Sequence, residues 1–165
     1  MGRLGVGTLA TVHEACMDRA LWLARTALDK GDWPVAAVIA RHGNILAEGQ
    51  GQTNSRRDPI WHAELDALRK AAAGRIDVTG ATLYCTMEPC PMCAWAIRLS
   101  GINQLVLGAR HWDLRRADLG SYNLEAFAAL MGYELALVEG VRHAECLALR
   151  QRWGKDVVAT PPRQV

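Results

Sequence analysis

No stretch of the 165-residue chain is apolar for long enough to cross a bilayer. Its longest apolar runs, such as Val35 to Ala40, fall far short of the roughly 20 residues that a spanning helix needs. The N-terminus lacks the charged-then-apolar segment of an export signal, and Val6 spoils a myristoylation motif after Gly2. A cytoplasmic protein with no membrane partner is therefore expected. Charge of one sign is also missing. Nineteen basic residues against 17 acidic ones leave a net charge of +2, too little by itself to imply a nucleic-acid partner. There is no even set of cysteines, since the chain has five, and without an export signal a disulfide framework is not expected. Cys16, Cys85 and Cys146 fall in apolar stretches and read as core residues, whereas Cys90 and Cys93 form a C-x-x-C pair. Repeats, low-complexity tracts and linkers are absent as well. What is present is 50% hydrophobic and 22% charged, which excludes a disordered chain. One domain over 1–165 is expected, with 1–7 and 160–165 loosely held.

The periodicities alternate between helix and strand. Thr11 and Glu14 have the spacing of a capping box, and Val12, Cys16, Leu23 and Ala27 then recur at helical spacing until Lys30-Gly31. Val35 to Ala40 reads as a strand buried on both faces, Arg41 to Asn44 as a hairpin turn, and Ile45 to Gly49 as the return strand. After a polar loop, Gln50 to Pro59, a helix is expected from about Trp61 to Ala73. A strand over Thr82–Thr86, a helix over Pro91–Leu99 and a strand over Gln104–Gly108 follow. Leu124–Met131, Glu134–Val138 and Val141–Trp153 continue as helix, strand and helix. This order implies a layered α/β domain.

The densest chemistry lies in His62-Ala63-Glu64 and Pro89-Cys90-Pro91-Met92-Cys93. Pro91 suits the first position of a helix, which places Cys90 and Cys93 at its N-terminus. Free N–H groups and the helix dipole favour the thiolates there. His62 would open another helix and complete three protein ligands, leaving a fourth position to water, as in a catalytic zinc site. Zinc lowers the pKa of such a water to about 7. Glu64 would take its proton, carry it to a ring nitrogen and help protonate a departing amine. Other readings of the C-x-x-C pair are a redox couple and half of a four-ligand structural zinc site. The two prolines and the upstream His-x-Glu do not favour the first. The second needs a further ligand, such as His13, His42, His111 or His143, none of which has paired spacing. A non-catalytic zinc-binding module is a third reading, in which Glu64 has no structural duty.

H-x-E…P-C-x-x-C is the signature of zinc deaminases that act on nucleobases. The chain resembles the cytidine deaminase superfamily, in the branch holding guanine deaminases, fungal-type cytosine deaminases and tRNA adenosine deaminases. The resemblance covers nearly the whole chain, including Trp33 to Val38, Asp58 to Glu64, Thr82-Leu83-Tyr84, Met87 to Cys93 and Leu107 to Arg110. It implies a three-layer α/β/α sandwich around a mixed five-stranded sheet, usually a homodimer. It also implies one Zn2+ per chain on His62, Cys90 and Cys93, with Glu64 catalytic.

The metal motifs separate substrates poorly, so the neighbouring residues must do it. By resemblance, the backbone at Ala36 and Ala37 lines the base pocket, Ala36 standing where glycine is common. Asn54 is the candidate for the loop asparagine that commonly hydrogen-bonds the base, although it lies closer to His62 than is usual. Glu88, beside the cysteine motif, is placed on the substrate side. Arg110-His111-Trp112-Asp113 resembles a guanine deaminase pattern in which an Asp contacts the substrate. Trp61 and Trp112 offer rings on which a base could stack. These features favour a free base or related small heterocycle, with guanine ahead of cytosine, isocytosine and aminotriazines. The alternative is a tRNA wobble-adenosine deaminase. Glu139 to Cys146 resembles that group, and Arg56, Arg57, Arg115, Arg116, Arg150 and Arg152 could form a phosphate rim. Against it, Leu114 to Asp118 departs from the Lys-Thr-Gly-Ala segment usual there, and Trp61 and Trp95 would crowd a flipped base. Glu145 is a candidate second proton carrier, with an exposed helical Glu as the simpler reading.

Overall fold

A 21-residue helix, α1 (Leu9–Asp29), buries His13, Cys16, Met17, Ala20, Leu21, Ala24 and Ala27 along one stripe at 3–4 residue spacing. The computed structural model to which it belongs describes residues 8–116 and 118–154, so the ends expected to be loose, 1–7 and 160–165, lie outside the described residues. The cap of α1 is Thr8, not Thr11. An N-cap must sit outside the helix with extended backbone, as Thr8 does (φ −60°, ψ 157°), and its hydroxyl accepts from the Thr11 amide. Thr11 is already helical, and its own hydroxyl pairs with that of Thr8 at 2.8 Å. At the other end Lys30 caps, and Gly31 (φ 78°) turns the chain in the left-handed region.

β1 (Ala36–Arg41) and β2 (Asn44–Gln50) pair antiparallel across His42-Gly43. Both turn residues have positive φ, the backbone of a type I′ hairpin. Then come α2 (Ala63–Ala73), β3 (Thr82–Met87), α3 (Pro91–Leu99) and β4 (Gln104–Ala109). A 3₁₀ turn (His111–Leu114) leads to α4 (Leu124–Leu130), β5 (Ala136–Val138) and α5 (His143–Trp153). The sheet order is β2-β1-β3-β4-β5. β1 is antiparallel to β3, while β3-β4 and β4-β5 run parallel. The mixed five-stranded sheet and its α/β/α layering are as expected.

Strand alternation divides the apolar side chains between two cores. Ala37, Ile39, Leu83, Cys85, Leu105 and Leu107 pack with Ala63, Ala67, Ala94 and Ile97, on the side of α2 and α3. Ala36, Val38, Tyr84 and Val106 pack with Met17, Ala20 and Leu149, on the side of α1 and α5. Each fully buried Leu or Ile contributes about 1.5–3 kcal/mol. Cys16, Cys85 and Cys146 are all buried in these cores.

Some boundaries differ from the sequence reading. The helix expected from Trp61 begins at Ala63, because Trp61 and His62 spend their amides on the Asp58 and Ile60 carbonyls in a turn. β5 starts at Ala136, and α5 starts at His143, after Arg142 takes a left-handed conformation. The tightest contact in the sheet lies beneath α2. A Cβ on Gly49 would stand 2.0 Å from the Ala63 carbonyl oxygen, so only glycine lets β2 and α2 approach this closely. Among the described residues, no helix is long and apolar enough to cross a membrane.

Candidate metal centre and active site

Two helix N-termini converge on one point. His62 is the N-cap of α2 and Cys90 the N-cap of α3, both with extended backbone and neither using its side chain to cap. Pro91 fixes the first helical φ of α3, and Cys93 lies in the same turn. Side chains of all three residues are thus left to face one another. His62 Nδ1 lies 3.5 Å from Cys90 Sγ and 3.5 Å from Cys93 Sγ, and the three donor atoms all fall within 4.8 Å of one another. A tetrahedral zinc with Zn–S about 2.3 Å and Zn–N about 2.0–2.1 Å has an N···S edge of about 3.6 Å. The donor set therefore fits one zinc ion, in both spacing and ligand type.

The electrostatics of the three side chains suit a cation. A hydrogen bond from Cys93 holds the Cys90 thiol down at about 4, with a further hydrogen bond to His62. Cys93 is raised in turn, because it supplies the shared proton and is buried. The bond to Cys90 raises His62. Binding of a metal replaces such protons. Glu64, in the first turn of α2 and 3% exposed, is pushed up to about 7, first by burial and then by the negative charge on Cys90. A carboxyl poised near neutrality can both take and give a proton.

A cleft opens beside these groups. His62, Ala63, Glu64, Glu88 and Cys90 form one side of its lining. Trp33, Val35, Gly51, Thr53, Met87, His111, Arg116 and Arg150 complete it. The guanidinium carbon of Arg150 sits 4.3 Å from the Trp33 ring centroid, and that of Arg116 sits 5.5 Å from it.

The sequence profile of the cytidine and deoxycytidylate deaminase zinc-binding region matches residues 10–109. The chain belongs to this family. It is 34% identical over 138 residues to a tRNA-specific adenosine deaminase of Bacillus subtilis, spanning 82% of this chain and 84% of that one. It is 38% identical over 108 residues to a guanine deaminase of Bacillus subtilis, spanning 64% and 69%. A solved structure from work on A-to-I editing by tRNA:A34 deaminases superposes with a TM-score of 0.70 at 28% identity, covering 82% of this chain and 98% of that one. This chain is thus a zinc-dependent hydrolytic deaminase of the cytidine deaminase family.

Several of the expected substrate contacts of this deaminase point elsewhere. Asn54 is exposed, and its side-chain amide donates to the Gly31 carbonyl at 2.8 Å; Gly51 and Thr53 are the loop residues at the cavity. Trp61 donates its indole N–H to Asp66 at 3.2 Å and is flanked by Arg56 and Arg69, outside the cavity lining. Trp112 is 56% exposed, with Arg110 over its ring. Asp113 accepts from the Arg110 amide at 2.7 Å and from His143 Nε2 at 3.0 Å, tying the 3₁₀ turn to α5. Trp95 is exposed on α3, and neither it nor Trp61 is part of the cavity lining. Glu145 is exposed on α5, the simpler of its two readings. Ala36 and Ala37 are buried behind Val35, which takes the lining position. Glu88 reaches the cavity, yet its carboxylate also accepts from Arg110, from the His111 amide and from the Leu124 amide.

The sequence reading missed Trp33, Thr53 and His111 as cavity residues and treated Arg116 and Arg150 only as a phosphate rim. One signal for Arg150 was present. It shares the buried face of α5 with Cys146, Leu149 and Trp153, where an arginine is out of place unless something polar needs it.

Proposed function

We propose that this deaminase releases ammonia from a free nucleobase or a related small heterocycle, with guanine favoured and cytosine, isocytosine and aminotriazines as further candidates. The supporting observation is the cavity wall formed by Trp33, Arg116 and Arg150, the last only 1% exposed. Guanidinium groups donate hydrogen bonds and accept none; Arg116 spends its Nε and one terminal nitrogen on Asp118, and the donors left over in this wall suit a ring bearing oxygen. Guanine, cytosine and isocytosine carry a ring oxo group one ring nitrogen away from their amino-bearing carbon, and adenine carries none. The earlier supports for guanine, Asp113 and Trp112, face away from the cavity and add nothing to this reading.

Zinc on His62, Cys90 and Cys93 would supply a water whose pKa is lowered to about 7. Glu64 does the proton work: it accepts a proton from that water, delivers it to the ring nitrogen next to the amino-bearing carbon, and assists protonation of the departing amine. Burial keeps bulk water from this carboxyl and holds its pKa near the working pH.

A tRNA wobble-adenosine reading is the alternative, favoured by the near full-length match to the Bacillus subtilis tRNA enzyme. Arg56 and Arg57 are exposed on the loop before His62, where a phosphate backbone could pass. The chain is further expected to form a homodimer. Met92, Trp95 and Leu99 leave an apolar stripe exposed along α3, with Ile60 exposed as well. All five cysteines are free, which suits the reducing cytoplasm.

An ammonia-release screen decides between the readings, using guanine, cytosine, isocytosine, ammeline, the corresponding nucleosides, and tRNA carrying adenosine at the wobble position. Release from one or more free bases is expected. Release from tRNA alone, with steep salt dependence, would replace the free-base reading.

A further inference from the structure

The cavity wall holds a buried imidazole whose hydrogen-bonding capacity is not fully used. His111, the first residue of the 3₁₀ turn, is 6% exposed; its ring lies within reach of the Pro89 carbonyl, which can take its one N–H, and its other nitrogen has no hydrogen-bond partner. Its backbone is fixed, since its amide donates to Glu88 at 3.0 Å, and its ring packs against Tyr122 with centroids 6.1 Å apart. Across the same lining the Thr53 hydroxyl oxygen is also buried without a partner. A buried polar group left unbonded costs about 1–3 kcal/mol. Two such residues facing one cavity, each held by its own backbone, make a prepared recognition surface.

We propose that His111 and Thr53 hold the substrate by a lactam edge, a ring N–H beside a carbonyl. The inference rests on the free-base reading above and names the contacts that read the base. With its N–H turned to the Pro89 carbonyl, a neutral imidazole keeps one acceptor for a ring N–H, and the Thr53 hydroxyl can donate to the neighbouring carbonyl. Together they match an edge that presents a donor and an acceptor side by side, while Arg116 and Arg150 meet further oxygen. Guanine has such an edge next to the carbon that carries its amine. 2-Aminopurine has the same amine and lacks the edge. His111 and Thr53 thereby take the recognition duty that Asn54 and Asp113 do not perform.

Two measurements test the assignment. In zinc-loaded Glu64→Ala protein labelled with ¹⁵N-histidine, guanine should shift the His111 imidazole resonances and 2-aminopurine should shift them far less. In the otherwise native enzyme, guanine should be preferred to 2-aminopurine by at least about tenfold in kcat/KM, because a site built for hydrogen bonds rejects an analogue that lacks them. His111→Ala should raise the KM for guanine and collapse that preference with zinc content unchanged. His111→Gln, whose amide keeps one donor and one acceptor, should recover part of it. Guanine turnover with KM and preference untouched by His111→Ala, or unmoved His111 resonances, overturns the assignment and leaves the free-base reading standing. Ammonia from tRNA alone removes the free-base reading and the lactam edge with it. In that case the KM for tRNA in His111→Ala decides whether His111 contacts substrate at all.

Discussion

Gly49→Ala tests how strictly the metal centre depends on the fit between β2 and α2. The new methyl group would stand 2.0 Å from the Ala63 carbonyl oxygen and 2.4 Å from the Ala67 amide nitrogen. Even a close C–H···O contact keeps carbon and oxygen about 3.3–3.6 Å apart, so more than about 1 Å must be found. Both obstacles are backbone atoms, and no rotamer can yield the space. The first turn of α2 has to retreat, carrying Glu64 and its N-cap His62 away from Cys90 and Cys93 on α3. Metal and catalytic sites tolerate displacements of about 0.5 Å. Overpacking of this kind costs about 1–3 kcal/mol of stability. A disturbed support for a metal ligand typically loses about 10–100-fold in metal affinity. Zinc per chain by elemental analysis, affinity by chelator competition and urea denaturation read the three quantities. Gly49→Ala protein with wild-type zinc affinity would refute the dependence of the ligand geometry on this contact.

Glu64→Gln should retain zinc while turnover falls at least about 10²-fold, as measured by ammonia release. It should also change the pH dependence of stability in the metal-free protein. The Glu64 carboxyl is raised in the fold from 4.5 to about 7, so its burial costs nothing below 4.5, costs progressively more between those values, and costs its full amount above 7. The Gln variant should then be more stable than wild type by about 3 kcal/mol near pH 8, with the gap closing as pH falls toward 5. Urea melts at the two pH values that show no change in the gap would contradict the raised pKa. Cys90→Ala removes one of three donors and should lose the metal; unchanged zinc content by elemental analysis would take Cys90 out of the ligand set. Arg110→Met leaves the carboxylate of Glu88, whose side chain is fully buried, without its cation, and should cost about 3–5 kcal/mol in denaturant unfolding. A loss under about 1 kcal/mol would mean that the Leu124 and His111 amides satisfy Glu88 unaided.

The metal centre was legible because its geometry is local. His62 and Glu64 share one segment, Cys90 and Cys93 another, and helix-start chemistry at Pro91 orients the second pair without long-range help. The strands were legible for the same reason, their burial following runs such as Val35 to Ala40. The substrate wall was not legible in this way. Which way Asn54 turns is decided by the Gly31 carbonyl, Trp61 by Asp66, and Asp113 by His143, and two of these partners are far off in the chain. Sequence proximity to a motif therefore picked out side chains that the fold engages with other partners. Trp33 and Arg150 come together only when the loop after α1 meets the face of α5. His111 directly follows the recognised run ending at Arg110, yet nothing in the sequence says that its ring is buried in the cavity wall with a nitrogen left unbonded.

The division of the site between chain segments has a consequence for the order of its assembly on the ribosome. All three metal donors and Glu64 have emerged once Cys93 is made, and they belong to neighbouring helices on one face of the sheet. Arg150, which closes the cavity, arrives only with α5 and packs from the opposite face. Domains generally fold as units, and Cys146 and Leu149 of α5 belong to the same core as Val38, Tyr84 and Val106. The metal donors of a nascent chain therefore wait on α5 before the fold that holds them is complete. Truncation before α5 should cost both the stability of the sheet and the retention of zinc.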